Sequence, residues 1–308
     1  MPNLNKADKY TYELLKRILK EGYKDVAPRP KYSDGTPAHT LSVNGNFRVY
    51  DIGAGEFPIC TLRPIAIKMA IKEMFWIYQD ASNSLEVLQN KYNIHYWDEW
   101  PSKDWPGTIG ARYGEVVRRY DLMRNLLKGL KEDPYGRRHV IDLWQYKELR
   151  ETDGLSPCAF LTIWNVRNDG KGNEYLDVHL IQRSGDSLAA SCAGVNECQY
   201  SALLMMVAKH CGYKVGCLYH VVANEQIYDR HIDQAHEMIR RYEERLAQER
   251  KEDMEWEDSY QGEGPGEPVY PNLLFETDKT DFYSFTIDDF KLINYEPMKP
   301  QLSLDLGI

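Results

Sequence analysis

Apolar positions recur at helical spacing over 7–21, give way to a Pro-, Gly- and Asp-rich loop at 27–40, and resume over 41–51, where Asn44-Gly45 predicts the turn of a hairpin. A second helix is expected over 63–79, opened by Pro64, with Glu73 beside its apolar face. On such a face a glutamate is ordinarily solvated or salt-bridged. The stretch "WDEWPSKDWPGTIG" (97–110) is a loop whose three tryptophans suit a hydrophobic plug better than a spacer. From Tyr113 to Leu130 one helix is predicted, with Val116, Tyr120, Met123, Leu127 and Leu130 in a single stripe.

Three strands follow, at 137–145, 158–166 and 175–184, the last two joined by a turn through "NDGKGN". Residues 197–211 are apolar nearly all round, the pattern of a helix buried in the centre of a fold, and Asn196 stands where an N-cap would. Four elements complete the chain: a strand at 214–223, a helix from about 226 to 251 that turns charged beyond Ile239, a polar loop at 255–271, and two short strands within 282–297. Helices and strands do not alternate as βαβ units, so the expected class is α+β with a mixed, largely antiparallel sheet.

Composition narrows the function classes. With 43% apolar positions in 308 residues the chain can bury a substantial core, as one large domain or two modest ones. The longest apolar run, near 200–208, is too short to cross a bilayer, and the first residues lack a signal-peptide core, so a cytoplasmic protein is expected. The six cysteines show no C-x-x-C pair and no metal-ligand spacing, so no metal is expected. A net charge of −9 argues against a nucleic-acid partner and leaves any anionic substrate to a local arginine cluster.

Candidate chemistry begins at "GLSPCAFLTIW" (154–164), where Cys158 sits at a loop-to-strand junction after a proline. A cysteine within a strand is usually packing, but one at its mouth can be held with the sulfur facing a cavity. Arg63, "GRRHV" (136–140) and "QRSGD" (182–186) bring arginines that, as a set, could bind a phosphate and hold a thiolate. Adjacent Arg137 and Arg138 point to opposite faces of a strand unless the backbone turns there.

In their order, "WDEW" (97–100), "RYGEVVRR" (112–119), "RRHVIDLW" (137–144), "SPC" (156–158), "QRSGD" (182–186), "NECQYSALLMMVA" (196–208) and "NEQIYDRHIDQ" (224–234) make the chain resemble the thymidylate synthase family. The resemblance covers nearly the whole chain and implies a single catalytic domain over 1–308. It also implies reductive methylation of dUMP to dTMP with 5,10-methylenetetrahydrofolate as cosubstrate. Cys158 matches the nucleophile that adds to uracil C6, and Arg183 the arginine touching both phosphate and thiolate. An ordinary thiol pKa of about 8.5 would have to fall for this chemistry. Glu73 matches the carboxylate near uracil O4, and Tyr113 the tyrosine of the C5 deprotonation network. Asn196 matches the residue whose amide donates to O4 and accepts from N3–H, the pattern of uracil, where an aspartate would suit cytosine. Gln182, Ser184, Asp186, Gln226 and Tyr228 fall in substrate-binding motifs, Tyr228 on the 3′-hydroxyl. Asp186 and Trp97 match positions lining the folate site, and Arg63 lies where a basic residue meets the folate's glutamate tail. Arg137 and Arg138 match a pair that reaches the partner subunit's phosphate, which implies a homodimer.

The chain departs from the family pattern at Ala159, at Gln226, in a longer 186–196 segment, and at Gly35, where a phosphate arginine is usual. Arg29, Lys31 and His39 are the candidates to replace that arginine. The same motifs would also suit a pyrimidine hydroxymethylase or a silent nucleotide-binding homologue. The joint presence of Cys158, Glu73, Tyr113, Arg183 and Asn196 argues against silence.

Overall fold

The computed structural model describes residues 3–258, 268–305 and 307, and over 252–258 the backbone alone. Its helices are α1 (Lys6–Glu21), α2 (Ile67–Met74), α3 (Leu85–Tyr92), α4 (Gly114–Arg119), α5 (Leu122–Glu132), α6 (Tyr146–Glu151), α7 (Val195–Cys211) and α8 (Ile232–Asp258). The strands are β1 (Tyr23–Lys24), β2 (Thr40–Asp51), β3 (Val140–Asp142), β4 (Ala159–Asn168), β5 (Glu174–Gln182), β6 (Gly185–Asp186), β7 (Lys214–Tyr228), β8 (Asn272–Phe275) and β9 (Phe290–Ile293). A seven-stranded sheet runs β1-β2-β7-β5-β4-β3, with β6 also on β7. β5 and β6 lie parallel to β7, and the remaining pairs are antiparallel. This is the mixed, largely antiparallel α+β architecture expected.

Strand alternation divides the sheet into two unlike faces. Trp164, Val178, Leu180 and Leu218 are buried on the face towards α7, in which every residue from Glu197 to Ala208 is buried. The other face carries Phe47, Tyr219 and His179 in a stacked row, with centroids 6.3 and 4.6 Å apart, and Phe47 is 59% exposed.

Several expectations from local pattern are corrected. Asn44-Gly45 does not turn: β2 continues through it in register with β7, although Gly45 has φ 69°. Arg17 of α1 donates to Asn44 O at 2.9 Å and to Asn46 Oδ1 at 2.9 Å, and long pairing with β7 outweighs the local turn preference. The helix expected from Pro64 starts at Ile67 and ends in a π-helical turn over Phe75–Gln79. The single helix over 113–130 is two, broken where Asp121 takes φ 50°; Tyr120, 39% exposed, leaves the stripe to bond Glu148.

The strand expected over 137–145 shrinks to three residues, because the backbone bends at 137 and α6 begins at Tyr146. Asn196 is not the N-cap of α7: Gly194 is, and Asn196 lies one residue inside the helix with its N–H on Ala190 O. α8 starts at Ile232 because β7 runs on to Tyr228, paired with Thr40. Within 282–297 there are two short 3-10 turns and one strand, β9, whose partner β8 was not anticipated. Of the expected polar loop at 255–271, residues 259–267 lie outside the described part of the chain, and 255–258 belong to α8.

Candidate active site

Cys158 stands at the mouth of β4, half-buried. The turn before it is held by one side chain: Arg183, just past the end of β5, donates to Ser156 O and Pro157 O, each at 2.9 Å. The same guanidinium reaches Cys158 Sγ at 3.4 Å, and Arg183 N–H donates to Cys158 O at 2.9 Å. Pro157 fixes φ and removes a competing donor, so these carbonyls are free to accept. Burial pushes the Cys158 thiol above its ordinary value, while Arg183 and then Arg29 pull it down. Within one chain the upward effect wins, so the lowering expected for an active thiol is only partly supplied.

Behind the thiol lies a buried polar cluster. Glu73, in the last turn of α2, is 5% exposed, so the solvated or salt-bridged state expected for such a residue does not apply. Its Oε1 accepts from Trp97 Nε1 at 2.6 Å, and its Oε2 from the Tyr96 hydroxyl and from Gln199 Nε2. Burial raises the Glu73 carboxyl, and these three donors oppose the rise. Tyr113 has φ 46° and packs edge-on against Trp97 with centroids 5.4 Å apart. The neighbouring Gly114 permits this turn, because a Cβ there would lie 2.1 Å from Ser82 O. Burial first, then the nearby Cys158 and Glu73, keep the Tyr113 phenol protonated.

The Asn196 amide is held between two others. Asn196 Oδ1 accepts from Gln182 Nε2 and its Nδ2 donates to Gln199 Oε1, both at 3.1 Å. Gln182 Nε2 also donates to Ser184 O at 3.0 Å. Asp186 Oδ1 accepts from the N–H groups of Leu188 and Ala189, which turns the 187–194 segment back over "QRSGD". That return is tight: a Cβ on Gly185 would lie 2.2 Å from Ser191 Cβ. Tyr228 ends β7 close to Gly307, and His231 Nε2 donates to Asp305 O at 2.9 Å, so the C-terminal residues lie against this region. A cleft of about 640 Å³ beside the thiol is lined by Arg29, Trp100, Lys103, Trp144, Ser156 and Arg183, among others.

The thymidylate synthase family model matches residues 9–307. The chain is 48% identical to a thymidylate synthase of Streptococcus pneumoniae, over 99% of this chain and 100% of that protein. It is 46% identical, with the same coverage, to one from Streptococcus pyogenes. The solved thermostable thymidylate synthase A from Bacillus subtilis matches with a TM-score of 0.78 and 33% identity, over 98% of this chain and 99% of that one.

The chain belongs to the thymidylate synthase family. It is therefore a methyltransferase of thymidylate synthesis, with dUMP and 5,10-methylenetetrahydrofolate as substrates. Among the described residues no group of three or more His, Cys, Asp or Glu is placed to hold a metal ion, and no helix is long and apolar enough to cross a membrane.

Of the residues expected from the family motifs, the fold gathers Cys158, Arg183, Tyr113, Glu73, Trp97, Gln182, Ser184 and Asn196 into one connected neighbourhood. Asp186 and Gln226 pair across β6 and β7, and Tyr228 lies near both Asp186 and Cys158 electrostatically, its phenol pushed up to about 12 chiefly by burial. Arg63 is 7% exposed and its guanidinium holds Leu188 O and Ala189 O, bracing the long segment from beneath. Arg137 and Arg138 are exposed, Arg138 with 90% of its side chain, and among the described residues no hydrogen bond joins either to the cluster.

Of the three candidates for the absent loop arginine, Arg29 acts on the Cys158 thiol and lines the cleft. His39 is committed to Asp25 at 2.6 Å, and Lys31 is exposed on a bridge to Pro37. Sequence reasoning missed Tyr96 and Gln199. Gln199 had a legible signal, since it follows Asn196 by three positions on a helix and shares its face.

Proposed function

We propose that Cys158 is the nucleophile of dUMP methylation, adding its thiolate to uracil C6 while Arg183 and Arg29 hold the 5′-phosphate beside it. What carries this reading is the Arg183 guanidinium, 3.4 Å from Sγ and anchored on the two carbonyls before it. A group so fixed keeps its charge at the sulfur without reorganising during reaction. The aromatic walls of the adjacent cleft, Trp100 and Trp144, suit a flat bicyclic ring, and Lys103 suits an anionic tail. The folate bound there would supply the one-carbon unit and the hydride. Glu73, Tyr96 and Tyr113 would manage protons at O4 and C5 from within the buried cluster.

The functional unit in this reading is a homodimer. Its interface is the sheet face bearing Phe47, Tyr219 and His179, and Arg137 and Arg138 of each subunit reach the other's phosphate. Two more guanidiniums near the thiol would offset the burial that raises it. A reaction that depends on a free thiol fits the reducing cytoplasm, and all six cysteines are unpaired.

Incubation with 5-fluoro-dUMP and methylenetetrahydrofolate, followed by peptide mass spectrometry, should place one adduct on Cys158. With dUMP, dihydrofolate should appear in step with dTMP. No adduct on any cysteine would sink the nucleophile assignment, and hydroxymethyl-dUMP with unoxidised tetrahydrofolate would mark a hydroxymethylase instead.

A further inference from the structure

Gln199 is 3% exposed, and both ends of its amide are engaged. Its Nε2 donates to Glu73 Oε2 at 2.5 Å, and its Oε1 accepts from Asn196 Nδ2 at 3.1 Å. The direction of this pair is not free. Glu73 already accepts from Tyr96 and Trp97, so the carboxylate can offer Gln199 only an acceptor. The nitrogen of Gln199 must face Glu73, and its oxygen must face Asn196.

The far side of Asn196 is polarised in the same sense. Gln182 Nε2 donates to Asn196 Oδ1 and to Ser184 O, a carbonyl that can only accept and so fixes the direction of this amide, and Gln182 Oε1 lies 3.1 Å from His220 Nε2. His220 is held at its other nitrogen 2.8 Å from Glu197 Oε1, and Arg48 fixes that carboxylate at 2.6 Å. Asn196 therefore lies between two amides that both demand its oxygen towards Gln182 and its nitrogen towards Gln199. Turning its amide over would set nitrogen against nitrogen on one side and oxygen against oxygen on the other.

We propose that Gln199 is a specificity-determining positioning residue: it passes the polarity of the Glu73 carboxylate to Asn196, so that the amide presents the hydrogen-bond pattern of uracil and opposes that of cytosine. The inference rests on Asn196 being the pyrimidine reader. Because Gln199 also donates to Glu73, it joins base recognition to the proton-handling carboxylate. The groups around Glu73 are Tyr96 and Trp97 from the loop after α3, Gln199 and Tyr200 from α7, Tyr78 from the π-helical turn and Tyr113 before α4. Those that lower Glu73 are neutral hydrogen-bond donors, so loss of Gln199 removes one of three.

The test uses the full-length enzyme with Gln199→Met, which keeps length and flexibility, Gln199→Glu, which keeps an oxygen towards Asn196, and Asn196→Asp as control. Two quantities are read: the ratio of the dCMP inhibition constant to the dUMP KM, and the pH of the acidic limb of kcat. For Gln199→Met the ratio should fall about tenfold, equivalent to about 1.4 kcal/mol, and the acidic limb should move to higher pH. Gln199→Glu should keep the ratio within about threefold of the parent while moving the limb further up, through the like charge it places beside Glu73.

An unchanged ratio and unchanged limb in Gln199→Met would overturn the proposal. Equal loss of discrimination in both variants would also overturn it, because it would mark a packing role. If Asn196→Asp shifts preference towards dCMP while Gln199→Met does not, the inference about Gln199 alone fails. If Asn196→Asp leaves the preference unchanged, Asn196 is not the reader and the premise itself fails.

Discussion

At Cys158 two effects of opposite sign meet, since burial favours the neutral thiol while Arg183 and Arg29 favour the thiolate. The thiol should therefore alkylate faster as pH rises, and removing a cation should move the midpoint upward. We expect Arg29→Ala to shift the pH midpoint of Cys158 alkylation by iodoacetamide, followed by mass spectrometry, to higher pH. The same variant should raise the dUMP KM about tenfold if Arg29 contacts phosphate. A midpoint at or below that of the parent would show that Arg29 does not act on the thiol. Cys158→Ser should abolish turnover yet leave dUMP binding by calorimetry within a few-fold, because Arg183 and Asn196 remain.

Between β2, α7 and β7 lies a buried ionic group that stiffens the elements carrying the site. Arg48 is 2.6 Å from both Glu197 Oε1 and Glu225 Oε1, and Glu225 Oε2 accepts from Ser187 at 2.9 Å and Ser191 at 2.5 Å. The last two contacts tie the long 187–194 segment to β7. Although burial pushes Glu197 up, Arg48 and His220 outweigh it and leave the carboxyl at about 2, against an ordinary 4.5. A carboxyl depressed on folding adds stability that is present above its unfolded value and lost as pH falls through the folded one. Chemical denaturation should therefore show stability falling between pH 4.5 and about 2. Glu197→Gln should cost about 3 kcal/mol at neutral pH and flatten that acid dependence. Gly185→Ala, whose Cβ would meet Ser191 Cβ at 2.2 Å, should cost about 1–3 kcal/mol and raise the dUMP KM. An unchanged melting temperature would mean that the 187–194 segment yields freely.

For the whole molecule, the exposed Phe47 row and the exposed Arg137 and Arg138 lead to a complementation test. Arg138→Ala subunits mixed with Cys158→Ser subunits should regain activity that neither shows alone, because one pocket of the heterodimer combines an intact thiol with an intact partner arginine. Full activity from a monomer in analytical ultracentrifugation would exclude the shared site. The chain's order of motifs already determined the family, the α+β class and most of the residues that meet at the thiol, because Cys158, Arg183 and Asn196 each sit in short segments that carry the family's motifs. Local pattern also fixed α1, α7, β4 and β5, where periodicity and burial agree. It failed at Asn44-Gly45, where Arg17 and the length of β7 keep a turn sequence in a strand. It failed again at Glu73, whose burial depends on donors 23 to 126 positions away. Only the tertiary structure decided that Arg29 and not His39 faces the thiol, since that choice turns on which side chain Asp25 has already engaged. It alone decided the direction of the amides about Asn196, because a hydrogen-bond chain takes its polarity from its ends, and those ends, the Glu73 carboxylate and the Ser184 carbonyl, meet only in the folded protein.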